Sequence, residues 1–248
     1  MRRMKKLTAL LLTCVMAVSA VGCGNVVDKT TSDTVLWING TYAVLTKLNS
    51  CDYTEFGGMK ANSMNKEIMQ NTLNEWWGIT DRDSADEMIT WLLDEGGHRV
   101  GFGEDMRYLE DNGMKDVPED QREQFIFDNF EMEEEQAKMY AALYTLYLEK
   151  GEDAILGWDY CRAMNLLGDY YIAGYYSNEE ALDKSLDIGK EIQTEFDSWD
   201  SMMDSYLAGY EYWAEESSDE RRSVYEEIKA AEDSPYNLDW NLELEKTW

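Results

Sequence analysis

GWDYCRAMNLLGDYYIAGYYS, running from Gly157 to Ser177, is apolar on almost every side, although the chain as a whole is 29% charged. The 23 residues from Ala154 to Tyr176 hold three charges, Asp159, Arg162 and Asp169. A helix apolar all round belongs inside a fold. At 100° per residue Asp159, Arg162, Asn165 and Asp169 share an arc of about 120°, so the exceptions form one polar stripe. The reading is a central buried helix, roughly Ala154 to Ala173, stopped by Gly174, with whatever is specific to the molecule placed along that stripe.

The flanking sequence supplies helices to wrap it. Ser177 with Glu180 is spaced as a capping box, and Leu182, Ser185, Gly189, Ile192 and Phe196 then form one stripe. Ser198 introduces a second apolar face, Trp199, Met202, Met203, Tyr206, Gly209, Tyr210 and Trp213. Upstream, Glu131 to Lys150 turns Tyr140, Leu143, Tyr144 and Tyr147 inward, carries glutamates in its first turns, and ends at Gly151, the charge order a helix dipole prefers. Pro118 opens a shorter helix reaching about Phe130. Met64 to Trp77 ends at Gly78. Thr80 with Asp83 marks the start of a helix that stops at Gly96-Gly97, placing His98 and Arg99 just beyond a C-terminus, where the dipole favours cations. Val35 to Leu48 is ambiguous: Asn39-Gly40 is a hairpin signal, whereas Trp37, Thr41, Val44, Leu45 and Leu48 make a helical face. Helix is preferred because no other strand follows. Cys51 to Asn62 reads as a loop, Ser218 to Ala231 as a polar helix, and the segment after Ser234 as an aromatic tail whose Trp240 and Trp248 pack back. The expected fold class is all-α, a single compact domain of about eight helices over residues 35–248.

Before that domain stand a basic cap (Arg2, Arg3, Lys5, Lys6), an uncharged run from Leu7 to Val21, and Gly22-Cys23. The run is too short to span a bilayer and fits a secretory signal. Ala20-Val21-Gly22-Cys23 resembles a lipobox, which implies cleavage after residue 22, diacylglycerol on Cys23, and a tether over residues 23–34. The implied address is the extracytoplasmic side of a bacterial membrane, with the membrane as partner through that lipid. Loss of residues 1–22 leaves 18 basic and 51 acidic residues, a net charge of −33. That sign argues against nucleic acid and against docking on anionic headgroups.

Three blocks resemble a bacterial family known as domain of unknown function 1266: WGITDRDSADEMITWLLDEGGHR (Trp77 to Arg99), GWDYCRAMNLLGDYYIAGYYSNEEA (Gly157 to Ala181) and FDSWDSMMDSYLAGYEYW (Phe196 to Trp213), with LWINGTYAVLT near the start. The family pattern often reads Leu-x-Glu-Gly-His-Arg without the doubled glycine found here. The resemblance implies a helical fold. It attaches no activity and supplies no catalytic residues.

The recurring polar residues of those blocks are His98, Arg99, Asp159 and Arg162, with Trp158 and Trp199 beside them. Asp159 and Arg162, at i and i+3, are placed to pair along the helix, and Asp169 lies two turns beyond. The structural reading is a buried ion network that fixes helix packing. The functional reading is a cleft in which Arg162 or Arg99 binds a carboxylate or phosphate and His98 or Asp159 moves a proton. Nothing points to a cofactor or a metal: there is one histidine, no CxxC, no calcium hand, no GxSxG and no HExxH. Cys161 falls in the apolar helix and reads as a buried hydrophobe, with pairing to Cys51 the alternative. The 25 Trp and Tyr residues are the other candidate, as rings that stack on a glycan or grip a protein partner, but most lie on helical stripes, which favours core over contact surface. Three functions fit: a lipid-anchored binding or interaction domain without catalysis, a small hydrolase of envelope or imported material using His98 and Asp159, or a protective, immunity-like partner of a toxin-like protein.

Overall fold

A computed structural model describes residues 31–248. The leader, Cys23 and most of the tether lie outside the described residues. Among these the fold is all-α, with short 3₁₀ turns and no strand. The helices are α1 (Asp33–Gly40), α2 (Ala43–Leu48), α3 (Ser63–Trp77), α4 (Arg82–Leu93), α5 (Gly97–Asp111), α6 (Arg122–Asn129), α7 (Glu134–Lys150), α8 (Leu156–Ala173), α9 (Asn178–Glu195), α10 (Trp199–Ala214) and α11 (Asp219–Lys229).

The quoted stretch is α8, and it is the axis of the molecule. Only Arg162, Asn165, Asp169 and Tyr171 escape full burial along it. Helices α3, α4, α9 and α10 pack around it. The approach to α10 is close because glycines remove the side chains that would hold it off. A Cβ on Gly157 would lie 2.6 Å from the Met202 carbonyl oxygen, and one on Gly209 would lie 2.2 Å from Trp158 Cβ. Where the backbones meet, the buried Ser205 hydroxyl accepts from Gly157 N and donates to the Ala154 carbonyl, both at 2.9 Å. A smaller core joins α5, α6 and α7 through Phe102, Met106, Ile126, Tyr140 and Leu143, and meets α8 and α10 at Ile155 and Ala208.

The α9 stripe is buried as expected. Ser177 and Ser198 cap their helices, with Ser201 completing the box at α10. The tail folds back: Trp240 Nε1 donates to the Phe196 carbonyl at 2.9 Å, and its ring joins Trp37 and Trp199. Trp248 Nε1 donates to Asp183 at 2.9 Å.

Four expectations are corrected. Val35 to Leu48 is neither a hairpin nor one helix: the backbone leaves helical geometry at Tyr42 (φ −130°, ψ 14°), and the Thr41 hydroxyl donates to the Ile38 carbonyl at 2.7 Å, closing α1 before α2 starts. The cap of α4 is Asp81 with Ser84, one residue along from Thr80 with Asp83. Pro118 caps a 3₁₀ turn, Glu119–Gln121, and α6 begins only at Arg122. Most consequentially, α5 exists although its sequence carries three glycines, each weakening a helix by about 1 kcal/mol. Its packing explains why: a Cβ on Gly103 would fall 2.3 Å from Glu152 Oε1, and one on Gly101 would fall 3.2 Å from the Tyr212 hydroxyl. Small residues there let α5 lie against its neighbours, and burial of Phe102 and Met106 outweighs propensity.

A candidate site around Trp158

His98 and Arg99 therefore stand in the first turn of α5, not beyond the end of α4, and the sign of the dipole argument reverses. Gly96 (φ 86°) and Gly97 (φ 51°) turn the chain from α4 into α5 in left-handed backbone. This aims the free N–H groups of the new helix at α8, where they favour an anion. Asp159, fully buried, is that anion: both its carboxylate oxygens accept from His98 N at 3.2 Å. His98 Nδ1 donates to Asp159 Oδ1 at 2.6 Å. A Cβ on Gly97 would stand 2.8 Å from the same carboxylate, so the second glycine of the doubled pair is what lets α5 approach it. The imidazole packs edge-on against Trp91 and Trp158, with centroids 5.0 and 6.0 Å apart. Its side chain is 17% exposed, and no hydroxyl or thiol among the described residues bonds Nε2. An imidazole with a buried carboxylate behind it is the base half of a nucleophilic site; among the described residues no nucleophile bonds it.

Trp158 has a second polar neighbour. The guanidinium carbon of Arg162 lies 4.3 Å from the Trp158 ring centroid and 5.7 Å from those of Trp77 and Trp213. The expected Asp159–Arg162 pair does not form, because Asp159 is committed to α5 while Arg162 turns into the tryptophans. Arg162 Nε is buried without a hydrogen-bond partner, and so is Trp158 Nε1. Next to it Arg221, from α11, donates through Nη1 to the Tyr206 hydroxyl at 2.7 Å and sits 3.8 Å over the Tyr210 ring. Burial pulls the Arg162 pKa down, and the nearby Arg221 charge pulls the same way.

The other candidates disperse. Arg99 donates to Asp153 at 2.6 Å, tying α5 to the turn before α8. Asp169 makes no ion pair with Arg162; burial pushes its carboxyl up to about 7 against the pull of that guanidinium. Trp199 is remote, packed in the core on Trp37, Tyr236 and Trp240 with its Nε1 donating to the Leu238 carbonyl at 3.1 Å. It is Trp213, at the other end of α10, that meets Arg162. Cys161 is buried, which pushes its thiol up to about 12. Two clefts of about 270 and 440 Å³ open beside Thr31, and neither is lined by the residues above. Sequence reading missed Arg221, Tyr206 and Trp91 as neighbours of the stripe. The only signal for Arg221 was an arginine on a half-polar helix, and nothing in the spacing says that α11 lies along α10.

The described residues thus form an all-α domain whose central helix presents a closed aspartate–histidine pair and an open arginine–aromatic strip. The family model described as a protein of unknown function, DUF1266, matches residues 72–240, which include all of these side chains, and the chain belongs to that family. No curated protein and no solved structure matches it.

Proposed function

We propose that this chain is a lipid-anchored, extracytoplasmic helical binding domain that carries out no catalysis of its own. The observation that carries the reading is the placement of its one histidine. His98 is spent on Asp159 through both its backbone and its ring, where it fixes α5 to α8, and among the described residues no nucleophile bonds its other ring nitrogen. A pair in that arrangement serves packing first. The anchoring half of the reading rests on the lipobox-like Ala20 to Cys23 and on the acidic balance of the remaining chain, which keeps the domain off anionic headgroups. No helix among the described residues is long and apolar enough to cross a membrane.

The hydrolase reading has one observation in its favour, the 2.6 Å bond that leaves His98 Nε2 without a partner among the described residues. Chromogenic ester, amide and phosphate substrates offered to the full-length chain and to His98→Ala separate the two. The expected result is no turnover that depends on His98; turnover lost in that variant would favour the hydrolase. Mass spectrometry of the chain from bacterial membranes tests the anchor: a diacylglyceryl adduct on Cys23 is expected, and Cys23→Ser should release the protein.

A further inference from the structure

We propose that Arg162 and Arg221 form an oxyanion-binding site, in which a carboxylate or phosphoryl group bridges the two guanidiniums and a flat part of the same ligand lies against Trp213. The inference rests on the non-catalytic binding reading and supplies its ligand class.

Charge is the first argument. In a chain with 51 acidic residues, Arg82, Arg99, Arg107 and Arg222 each hold a carboxylate, on Glu180, Asp153, Glu152 and Asp204. Arg162 and Arg221 hold none among the described residues, nor does Arg122, which donates to the Thr145 hydroxyl; the Arg221 charge lies close enough to act on Arg162. Two like charges kept near each other with no carboxylate bonded to either is an arrangement that an incoming anion relieves.

Geometry is the second. A guanidinium stacked over a ring satisfies its charge but not its N–H groups, which point outward in its own plane. Arg162 stacks on Trp158 and Arg221 on Tyr210, so both keep donors for a planar, bidentate acceptor. Donors outnumber acceptors here: Arg162 Nε and Trp158 Nε1 are two of the seven buried side-chain atoms without a partner among the described residues, and the Tyr206 hydroxyl is already taken by Arg221. The Tyr206 hydroxyl that positions Arg221 belongs to a buried ring stacked on Trp158, 5.6 Å between centroids, so the two arginines stand on one rigid aromatic floor. Glu216 accepts from the Tyr210 hydroxyl at 3.4 Å and makes no ion pair with Arg221 or Arg162.

Recognition of the rest of the ligand follows from Trp213, which is 44% exposed at the end of α10 while its ring faces Arg162. An exposed indole beside paired guanidiniums suits a ligand that is both flat and anionic.

Calorimetric titration of the full-length chain with phenyl phosphate, benzoate, inorganic phosphate and phenol tests this. One molecule of phenyl phosphate or benzoate should bind per chain, inorganic phosphate more weakly, and phenol not at all. Preference between the first two separates a phosphoryl from a carboxylate ligand. Arg221→Gln, at a half-exposed position that leaves the core intact, should weaken binding about tenfold or more; Arg162→Gln should do the same, and Trp213→Ala should cost less. No heat with any anion, or an affinity unchanged in Arg221→Gln, overturns the site while leaving the non-catalytic reading standing. Release of phenol from phenyl phosphate that is lost in His98→Ala would overturn that reading and leave the anion site in place.

Discussion

His98 and Arg162 both lean on Trp158, and their polar groups are used in opposite ways. His98 is closed: its ring and its backbone N–H meet one buried carboxylate, and two glycines bend the chain to make that meeting possible. Arg162 is open: aromatic rings hold its cation, its Nε finds no acceptor among the described residues, and the Arg221 charge works against its own. Helix α8 thus carries, three residues apart, Asp159, used to join elements, and Arg162, left over by the joining. A group of the first kind is a measure of stability, whereas one of the second kind is where a ligand has something to offer.

The comparison breaks most decisively at Asp159. Removing one member of a buried pair strands the other, at a cost of about 3–5 kcal/mol. Asp159→Ala leaves His98 N and Nδ1 without their acceptor, and denaturant unfolding should show a loss in that range. A variant as stable as the parent would mean that α5 is not anchored there. Gly97→Ala tests the same closure from the opposing side. A residue with a Cβ at φ 51° costs about 1–2 kcal/mol, and its methyl would press on the Asp159 carboxylate. The expected loss is roughly 2 kcal/mol, with hydrogen exchange at the start of α5 accelerated before that of α8.

How far this contrast could be read from sequence follows from which signals are local. The buried helix, its stop at Gly174, the caps at Ser177 and Ser198 and the α9 stripe are all written in spacings of three and four residues, and the structure carries them. The start of α5 was not legible, because only Asp94 to Gly96 separate it from the end of α4 at Leu93, and a doubled glycine ordinarily signals an ending and not a start. That one misreading placed His98 at the wrong pole of a dipole. The polar stripe was correctly located on α8, yet the partners of its members come from α5, α10 and α11, and pairings between distant helices leave no periodic trace. Trp199 and Trp213 occupy the same apolar face of α10 in sequence; only packing decides that one is core and the other overlooks Arg162.

Asp169 gives a smaller test, along the pH axis. Its folded carboxyl holds a proton up to about 7, whereas in the unfolded chain it loses it near the ordinary value of about 3.9. Between those values the native state binds the extra proton, so this group makes stability fall as pH rises through the window. Asp169→Asn keeps the shape and removes the titration. The variant should melt above the parent at about pH 8 and close to it at about pH 4. A variant less stable than the parent at the higher pH would show that Asp169 acts as the missing counter-ion of Arg162, and the open side of the comparison would be closed after all.

The smallest effect on stability, and the sharpest on the contrast, belongs to Arg221→Gln. The substitution gives up a hydrogen bond to the Tyr206 hydroxyl and a stack on Tyr210, and it relieves repulsion on Arg162. With the terms opposed, the ligand-free variant should lie within about 1 kcal/mol of the parent, as most half-exposed substitutions do. The two proteins should part once phenyl phosphate is added. A ligand held only by the folded state stabilises it by RT ln(1 + [L]/Kd), about 1.4 kcal/mol at ten times Kd. The parent should gain that increment, read as a rise in melting temperature, and Arg221→Gln should gain little of it. Equal rises would place the anion elsewhere on the molecule. His98→Ala turns the same measurement around: it should lower the starting stability by more than Arg221→Gln and leave the ligand-dependent rise intact, because the closed pair holds the fold and the open pair holds the ligand.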